Sequence, residues 1–491
     1  MKKNSSSNQQ ILLLCLFIFL AVMVRIYFPL SHIFSDDAYY SYLSYSFLNG
    51  DFTHNYLGYP VFPLRIGFIS LTSFSMMIFG TNETATIVFP FLFSIVNLIL
   101  TYKLTLIITK DINAALRAAF LMALFPTDVV FATLNFPDLI NVFFINLGIY
   151  FLLKSFYEKN IKIALLGGAA FFLSMQFKEN IYYIFILLII LFVYFLVKQK
   201  QISIHIIIGF LFIGINVLME GFIYFLLHND FFYRFTITSL NYQYSFYDFF
   251  PYTAQKISGS KNYLRSLFDQ IFLINGRAIF LRRFYIFLPL IASVQSVINF
   301  RKKKYQLLIF WFAGLAVLLI GFTTSFTEFK PLDLQRSWYI YPVLMPIIIL
   351  SAQFISNFKK QISFLLITIY TLGSLIMCHH YEIFFDKSNL TSLKAYLREN
   401  SGKKIFTDHF TKYGVDLIRS YKTESKSERI LGNDFNFRKI IEGDWILYNE
   451  KHIDELKMQK YNFPDFSILN SKEYKRIATF RDFVFYEKII Q

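Results

Sequence analysis

The stretch "SDDAYYSYLSYSFLNGDF", residues 35–52, sets two adjacent carboxylates, Asp36 and Asp37, directly after the first long apolar run and ahead of a tyrosine-rich segment. A carboxylate at the edge of a bilayer loses part of its hydration and here also faces a like charge; both effects raise its pKa toward the range where it accepts a hydroxyl proton. One of the pair suits a general base, a role that contributes about 10²–10⁴-fold in rate, and the other a binding or orienting group. The plainer reading makes one of them a helix cap. Asp138, in "TLNFPDLINVFF", is a third acid at a turn, and its plainer reading is an N-cap after Pro137.

Basic residues offer the complementary charge. Lys178 in "MQFKENIYY" and Arg336 in "DLQRSWYIYP" lie at the ends of apolar runs, against the trend of the other cations, and Arg65 in "VFPLRIG" is a weaker third candidate. A guanidinium matches phosphate oxygens in bidentate fashion, which favours Arg336 as a phosphate contact; for Lys178 the plainer reading is a snorkelling side chain.

These residues must be positioned by membrane helices. The chain of 491 residues is 55% hydrophobic and 20% aromatic, too apolar for an ordinary soluble domain. Runs near or above the spanning length of about 18 residues recur from Ile11 to about Met377. We read eleven spans, near 11–29, 86–108, 114–134, 139–157, 162–177, 181–197, 203–227, 284–300, 305–324, 339–357 and 361–379. The apolar run 63–80 is read instead as a surface-lying or re-entrant helix, because only then do the basic breaks share one side: Lys2 and Lys3, Lys110 with Arg117, Lys159 with Lys162, Lys198 with Lys200, "RKKK" at 301–304, and Lys359 with Lys360. The expected location is an inner or plasma membrane, multi-pass, with the N-terminus cytoplasmic. The acidic turns then share the outer face, where three segments are substantial: 30–85, 228–283 and 326–342. Tyr39, Tyr40, Tyr42 and Tyr45 suit an amphipathic interfacial helix.

From about residue 385 the text turns mixed and charged. Strand-like runs ("KKIFTDHF", "DWILYNE", "FRDFVFYEK") alternate with helix-like ones ("SNLTSLKAYLREN", "EKHIDELKMQ"), so we expect domain 1–384 in the membrane and 385–491 as a small extracytoplasmic α/β domain.

The net charge of +16 is spread over the breaks between spans, which marks topology and argues against a nucleic-acid partner. Two cysteines, Cys15 and Cys378, both lie within or beside spans and give no disulfide framework or thiolate metal site. No phosphate-cradling glycine loop, His-Glu-x-x-His or Gly-x-Ser-x-Gly motif occurs, and no metal ligand set is read from the residues.

In order, "SDDAYYSYLSYSFLNGDF", "NFPDLINVFF", "MEGFIYFLLHNDFFYRF" and "QRSWYIYPVLMPIIIL" resemble the GT-C integral-membrane glycosyltransferases, in particular the protein O-mannosyltransferases and the lipid A aminoarabinose transferases. The resemblance covers roughly residues 10–380. It implies an all-α polytopic GT-C fold and inverting transfer of a hexosyl or pentosyl unit from a polyprenyl-phosphate donor to a glycan, lipid or protein acceptor outside the cytoplasm. It assigns Asp36 as base, Asp37 to orientation, Asp138 to the acceptor cavity, and Lys178 and Arg336 to the donor phosphate, with Arg65 the weaker candidate there. A Lys-Pro-Pro-like element of the family appears here only as "VFPLRIG", which leaves the role of Arg65 and a divalent metal open. The competing functions are a polysaccharide polymerase or ligase using a lipid-diphosphate glycan, and a lipid-linked sugar flippase or transporter.

Overall fold

The computed structural model describes residues 2–52, 61–179, 181–199, 204–244, 279–321, 341–421, 427–430, 437–450, 453 and 466–489. Up to Phe384 the described elements are all helices. Helix α1 (Lys2–Tyr27) is followed by α2 (Asp36–Leu48), a 3₁₀ turn at Phe62–Leu64, α3 (Ile66–Phe79), α4 (Glu83–Thr109), α5 (Ile112–Ala123), α6 (Pro126–Phe131), α7 (Asp138–Glu158) and α8 (Ile161–Met175). Then come α9 (Ile181–Gln199), α10 (Ile204–His228), α11 (Tyr233–Tyr244), α12 (Ile279–Arg301), α13 (Gln306–Gly321), α14 (Leu344–Ser356) and α15 (Lys360–Phe384).

By length and composition, five described helices can cross a membrane: Asn8–Tyr27, Glu83–Thr109, Asp138–Glu158, Ile207–His228 and Lys360–Phe384. Shorter apolar helices fill the bundle between them. Large apolar side chains such as Leu12, Phe19, Leu218, Leu226 and Phe364 are exposed, as expected where lipid rather than water is the surrounding medium.

Local chemistry sets the breaks. Asn82 caps α4 by accepting from the Ala85 N–H at 3.0 Å, and Asn160 and Asp111 do the same for α8 and α5. Helices α4 and α7 end on Lys110 and Lys159 in the left-handed conformation. The run 114–134, expected as one span, is instead broken. Pro126 has no N–H to continue the ladder and forces Phe125 into an extended conformation, so α5 stops at Ala123 and α6 restarts as a short helix. Helix α3 is 14 residues, about 21 Å, shorter than a core of about 30 Å, a shortness it shares with α5, α8 and α14 within segments read as spans. Small residues let helices meet closely: a Cβ on Gly168 would lie 2.6 Å from the Gly209 carbonyl oxygen, so α8 and α10 touch backbone to backbone.

After α15 the chain forms α16 (Lys387–Glu399), β1 (Ile405–Thr407), α17 (His409–Ile418), β2 (Glu428–Arg429), β3 (Trp445–Asn449), β4 (Tyr474–Phe480) and β5 (Phe483–Lys488). The sheet order is β2-β1-β3-β5-β4, with β1 parallel to β2 and β3, and β5 antiparallel to β3 and β4. Its core joins Leu393, Leu397, Ile405, Val415, Trp445 and Phe485 with Phe34, a residue of the first loop. The helix expected over "EKHIDELKMQ" lies almost wholly outside the described residues, as does most of the loop 228–283.

Candidate active site

The two ends of the helical bundle differ in character. At one end Lys110 lies over the Tyr157 ring at 4.4 Å, the Tyr305 hydroxyl donates to the Thr109 carbonyl at 3.4 Å, and Arg117 donates to the Ser356 hydroxyl at 2.6 Å. These contacts gather the breaks that carry Lys110, Arg117, Lys159, "RKKK" and Lys359. At the other end lie α2, α3, the start of α7, the turn between α8 and α9, and the C-terminal sheet domain.

Asp36 and Asp37 open α2 with unlike environments. Asp37 is fully buried. It accepts from the backbone N–H groups of Ile33 at 2.7 Å and Ser35 at 2.8 Å and pairs with the His32 ring. Burial favours its neutral form, but His32 and the two N–H donors outweigh this and hold the carboxyl below the usual range. Asp37 therefore ties residues 32–35 to the head of α2 and has no open face for a substrate. Asp36 is exposed. Its charge acts on Tyr40, one turn along the same helix, whose hydroxyl is pushed well above its ordinary pKa, by burial above all.

Tyr40 leads to Arg65. The Arg65 guanidinium donates to the Tyr40 hydroxyl and, through both arms of its fork, to Glu179 at 2.8 Å and 3.2 Å. Glu179 is buried, which alone would raise its pKa, yet Arg65 holds it below the usual range. The neighbouring residue, Lys178, donates to Asp138 at 2.6 Å, both side chains being buried. Asp138 occupies the first turn of α7 with Pro137 as N-cap, so it does not cap the helix; it faces the lysine instead. Asn141 in turn holds the backbone of this turn, donating to the carbonyls of Ser174 at 2.7 Å and Lys178 at 3.1 Å.

The structure thus brings Asp36, Asp138, Lys178 and Arg65 to one end of the bundle, in a sequence that runs Asp36, Tyr40, Arg65, Glu179, Lys178, Asp138. Arg336 lies outside the described residues. Among the described residues, no three His, Cys, Asp or Glu side chains converge as a metal site.

Several charged residues escaped the sequence reading. Glu179 follows Lys178 directly and is the partner that fixes Arg65. Glu220 and Arg234 pair at 2.6 Å, and Arg234 also donates to the carbonyls of Met175 and Leu64, tying the segment before α3 to the α8 turn. Deeper in the bundle, Arg25 of α1 and Asp128 of α6, both fully buried, form an ion pair. Ser94 and Tyr341 complete it by donating to the same carboxylate. The available signal was a charge inside an apolar run: "VMVRIYF" for Arg25 and "FPTDVV" for Asp128.

Residues 66–239 match the family described as dolichyl-phosphate-mannose-protein mannosyltransferase. ArnT from Cupriavidus metallidurans, in its undecaprenyl phosphate-bound structure, superposes with a TM-score of 0.61 at 11% identity, over 96% of this chain and 97% of that one. The family match is confined to that stretch, and ArnT shares the fold of nearly the whole chain. Other solved structures show the same fold. The apo oligosaccharyltransferase from Archaeoglobus fulgidus gives a TM-score of 0.55 at 11% identity, covering 95% of this chain and 73% of that one. The zinc- and sulfate-bound form of that enzyme gives 0.53 at 13% identity over 83% of this chain, and there the match spans only 61% of the archaeal chain. No curated protein matches the sequence significantly. The family match contains Asp138, Lys178, Glu179, Glu220 and Arg234 and begins one residue after Arg65, so α2 and its two aspartates lie outside the matched stretch.

Proposed function

We propose that this protein transfers a single sugar from a polyprenyl-phosphate carrier to an acceptor hydroxyl at the extracytoplasmic membrane surface, with inversion, and that Asp36 is the general base. The observation that carries the proposal is the contrast within α2: Asp37 is consumed by its own turn, whereas Asp36 is exposed at the head of a helix fixed by Tyr40, Arg65 and Glu179. The lipids held by structures of similar fold support the donor class. ArnT is seen with undecaprenyl phosphate, and the archaeal enzyme with dolichol-phosphate and an inhibitory peptide.

In this reading the eleven apolar segments span the membrane, the cation-rich end of the bundle is cytoplasmic, and residues 385–491 form an extracytoplasmic domain. A polyprenyl donor is too apolar to leave the bilayer, so the sugar is transferred at its surface. Asp36 takes the proton of the acceptor hydroxyl, whose oxygen attacks the anomeric carbon. The bond from that carbon to the phosphate oxygen breaks, its electron pair going to the phosphate. Arg336 is assigned to the departing phosphate. Arg65 and Lys178, each held by a carboxylate, supply positive potential nearby, and Asp138 frames the acceptor side through Lys178.

The test is product mass. Reconstituted protein given a lipid extract containing polyprenyl-phosphate sugars and membrane acceptors should add a single-sugar increment to the acceptor. Repeat-unit increments would favour a polymerase or ligase, and movement of the lipid-linked sugar without a new glycosidic bond would favour a flippase.

A further inference from the structure

Resting on the reading of Asp36 as base, we infer that the C-terminal domain is a positioning element of the active site: Tyr413 of α17 and Tyr421, just beyond its end, hold the helix that carries Asp36. Helix α2 places Tyr39, Tyr42 and Tyr45 three residues apart, on one stripe. The Tyr413 ring stacks on Tyr42 with centroids 4.1 Å apart and planes 20° apart, and also faces Tyr39 at 5.6 Å. Tyr421 stacks on Tyr45 at 3.9 Å and 5°. Both C-terminal tyrosines are buried. Aromatic pairs of this kind add specific geometry to simple burial.

The segment before Asp36 is held by the same domain. Phe34 enters the domain core and meets Phe483 at 5.2 Å, while Gly414 leaves room for Phe34 and His32, both of which a Cβ there would meet. Lys394 of α16 donates to Ser31 at 2.6 Å and pairs with Glu83 at 2.7 Å, and Arg398 pairs with the same Glu83. Asp36 is therefore suspended between two anchors, residues 31–34 and 39–45, both fastened to the C-terminal domain. Its opposite support is the membrane side, where Tyr40 packs edge-on against Phe68 and the Ser73 hydroxyl donates to the Ser44 carbonyl. A displacement of about 1 Å in a reacting group costs up to about 10²-fold in rate, so loosening either anchor acts through kcat.

The experiment uses the full chain with the lipid-extract transfer assay. Tyr42→Ala, which removes the stack at a half-buried ring, should lower kcat about 10- to 100-fold with little change in KM for the donor, and Tyr42→Phe, which keeps the ring, should restore the wild-type rate. In an Asp36→Asn background Tyr42→Ala should cause no further loss, because no base remains to be positioned. Tyr413→Leu removes the same stack from the other side and should reproduce the result. Hydrogen exchange over residues 32–48 of the substrate-free protein should rise in both variants. Wild-type kcat in Tyr42→Ala, equal losses with and without Asp36, or unchanged exchange would overturn the inference while leaving the base reading intact. Full turnover by Asp36→Asn would overturn both.

Discussion

Replacing Glu179 by Gln removes one charge from a buried pair and leaves the shape almost unchanged. Arg65 and Glu179 are 7% and 5% exposed and share two contacts, at 2.8 Å and 3.2 Å. Breaking such a pair typically costs about 3–5 kcal/mol, because the remaining charge stays buried without its partner. Two features of the site reduce that figure. The glutamine oxygen still accepts one hydrogen bond, and the guanidinium lies over the Phe62 ring at 4.9 Å, a cation–π contact worth about 0.5–2 kcal/mol. We therefore expect Glu179→Gln to destabilise the protein by about 2–4 kcal/mol at pH 7. The pH dependence has a definite sign. The Glu179 carboxyl is held below its ordinary value of 4.5, so its stabilisation is complete above that value and is lost as pH falls through the lower folded value. Apparent melting of wild type and variant in lipid nanodiscs, followed from pH 7 downward, should show two curves that converge in acid. The double replacement Arg65→Met with Glu179→Leu should recover most of the stability, since a packed apolar pair avoids the desolvation of both ions. A penalty under about 0.5 kcal/mol at pH 7, or a gap that persists unchanged below pH 4, would refute this reasoning.

Lys178→Ala leaves Asp138 buried without its cation and should cost about 3–5 kcal/mol, more than Asp138→Asn, in which the neutral amide still accepts from the lysine; melting of the two variants compares them. Arg25→Met should destabilise by a similar amount through the orphaned Asp128, and adding Asp128→Leu should relieve most of it, read as recovered thermal half-life. Gly414→Ala drives a methyl group against Phe34 and should cost about 1–3 kcal/mol, appearing as faster proteolysis of the C-terminal domain.

Much of this architecture was legible because bilayers impose simple rules. Asn82, Asp111 and Asn160 mark where helices begin, and the structure uses each as a cap. Strands β1, β3 and β5 coincide with the apolar runs around Phe406, Ile446 and Phe485, which are buried. Strand β4, "YKRIATF", escaped notice because it is an edge strand with most side chains half-buried or exposed, and so lacks clean alternation. The break in 114–134 was signalled by Pro126, but continuous apolarity outweighed it. At the site, the sequence reading singled out the acids and the bases; it did not pair them. Periodicity within one segment says nothing about which turn of another helix lies opposite. Arg65 with Glu179 and Lys178 with Asp138 are contacts across 114 and 40 residues that only the packed bundle defines.

The account rests on Asp36 as the proton acceptor, and the direct measurement is sugar transfer by purified, reconstituted Asp36→Asn protein beside an equally folded wild type. We expect transfer to fall by about 10²–10⁴-fold while donor binding is retained, because the amide keeps the shape of the carboxylate and loses only its basicity. Turnover equal to wild type in a protein that melts normally would contradict the assignment.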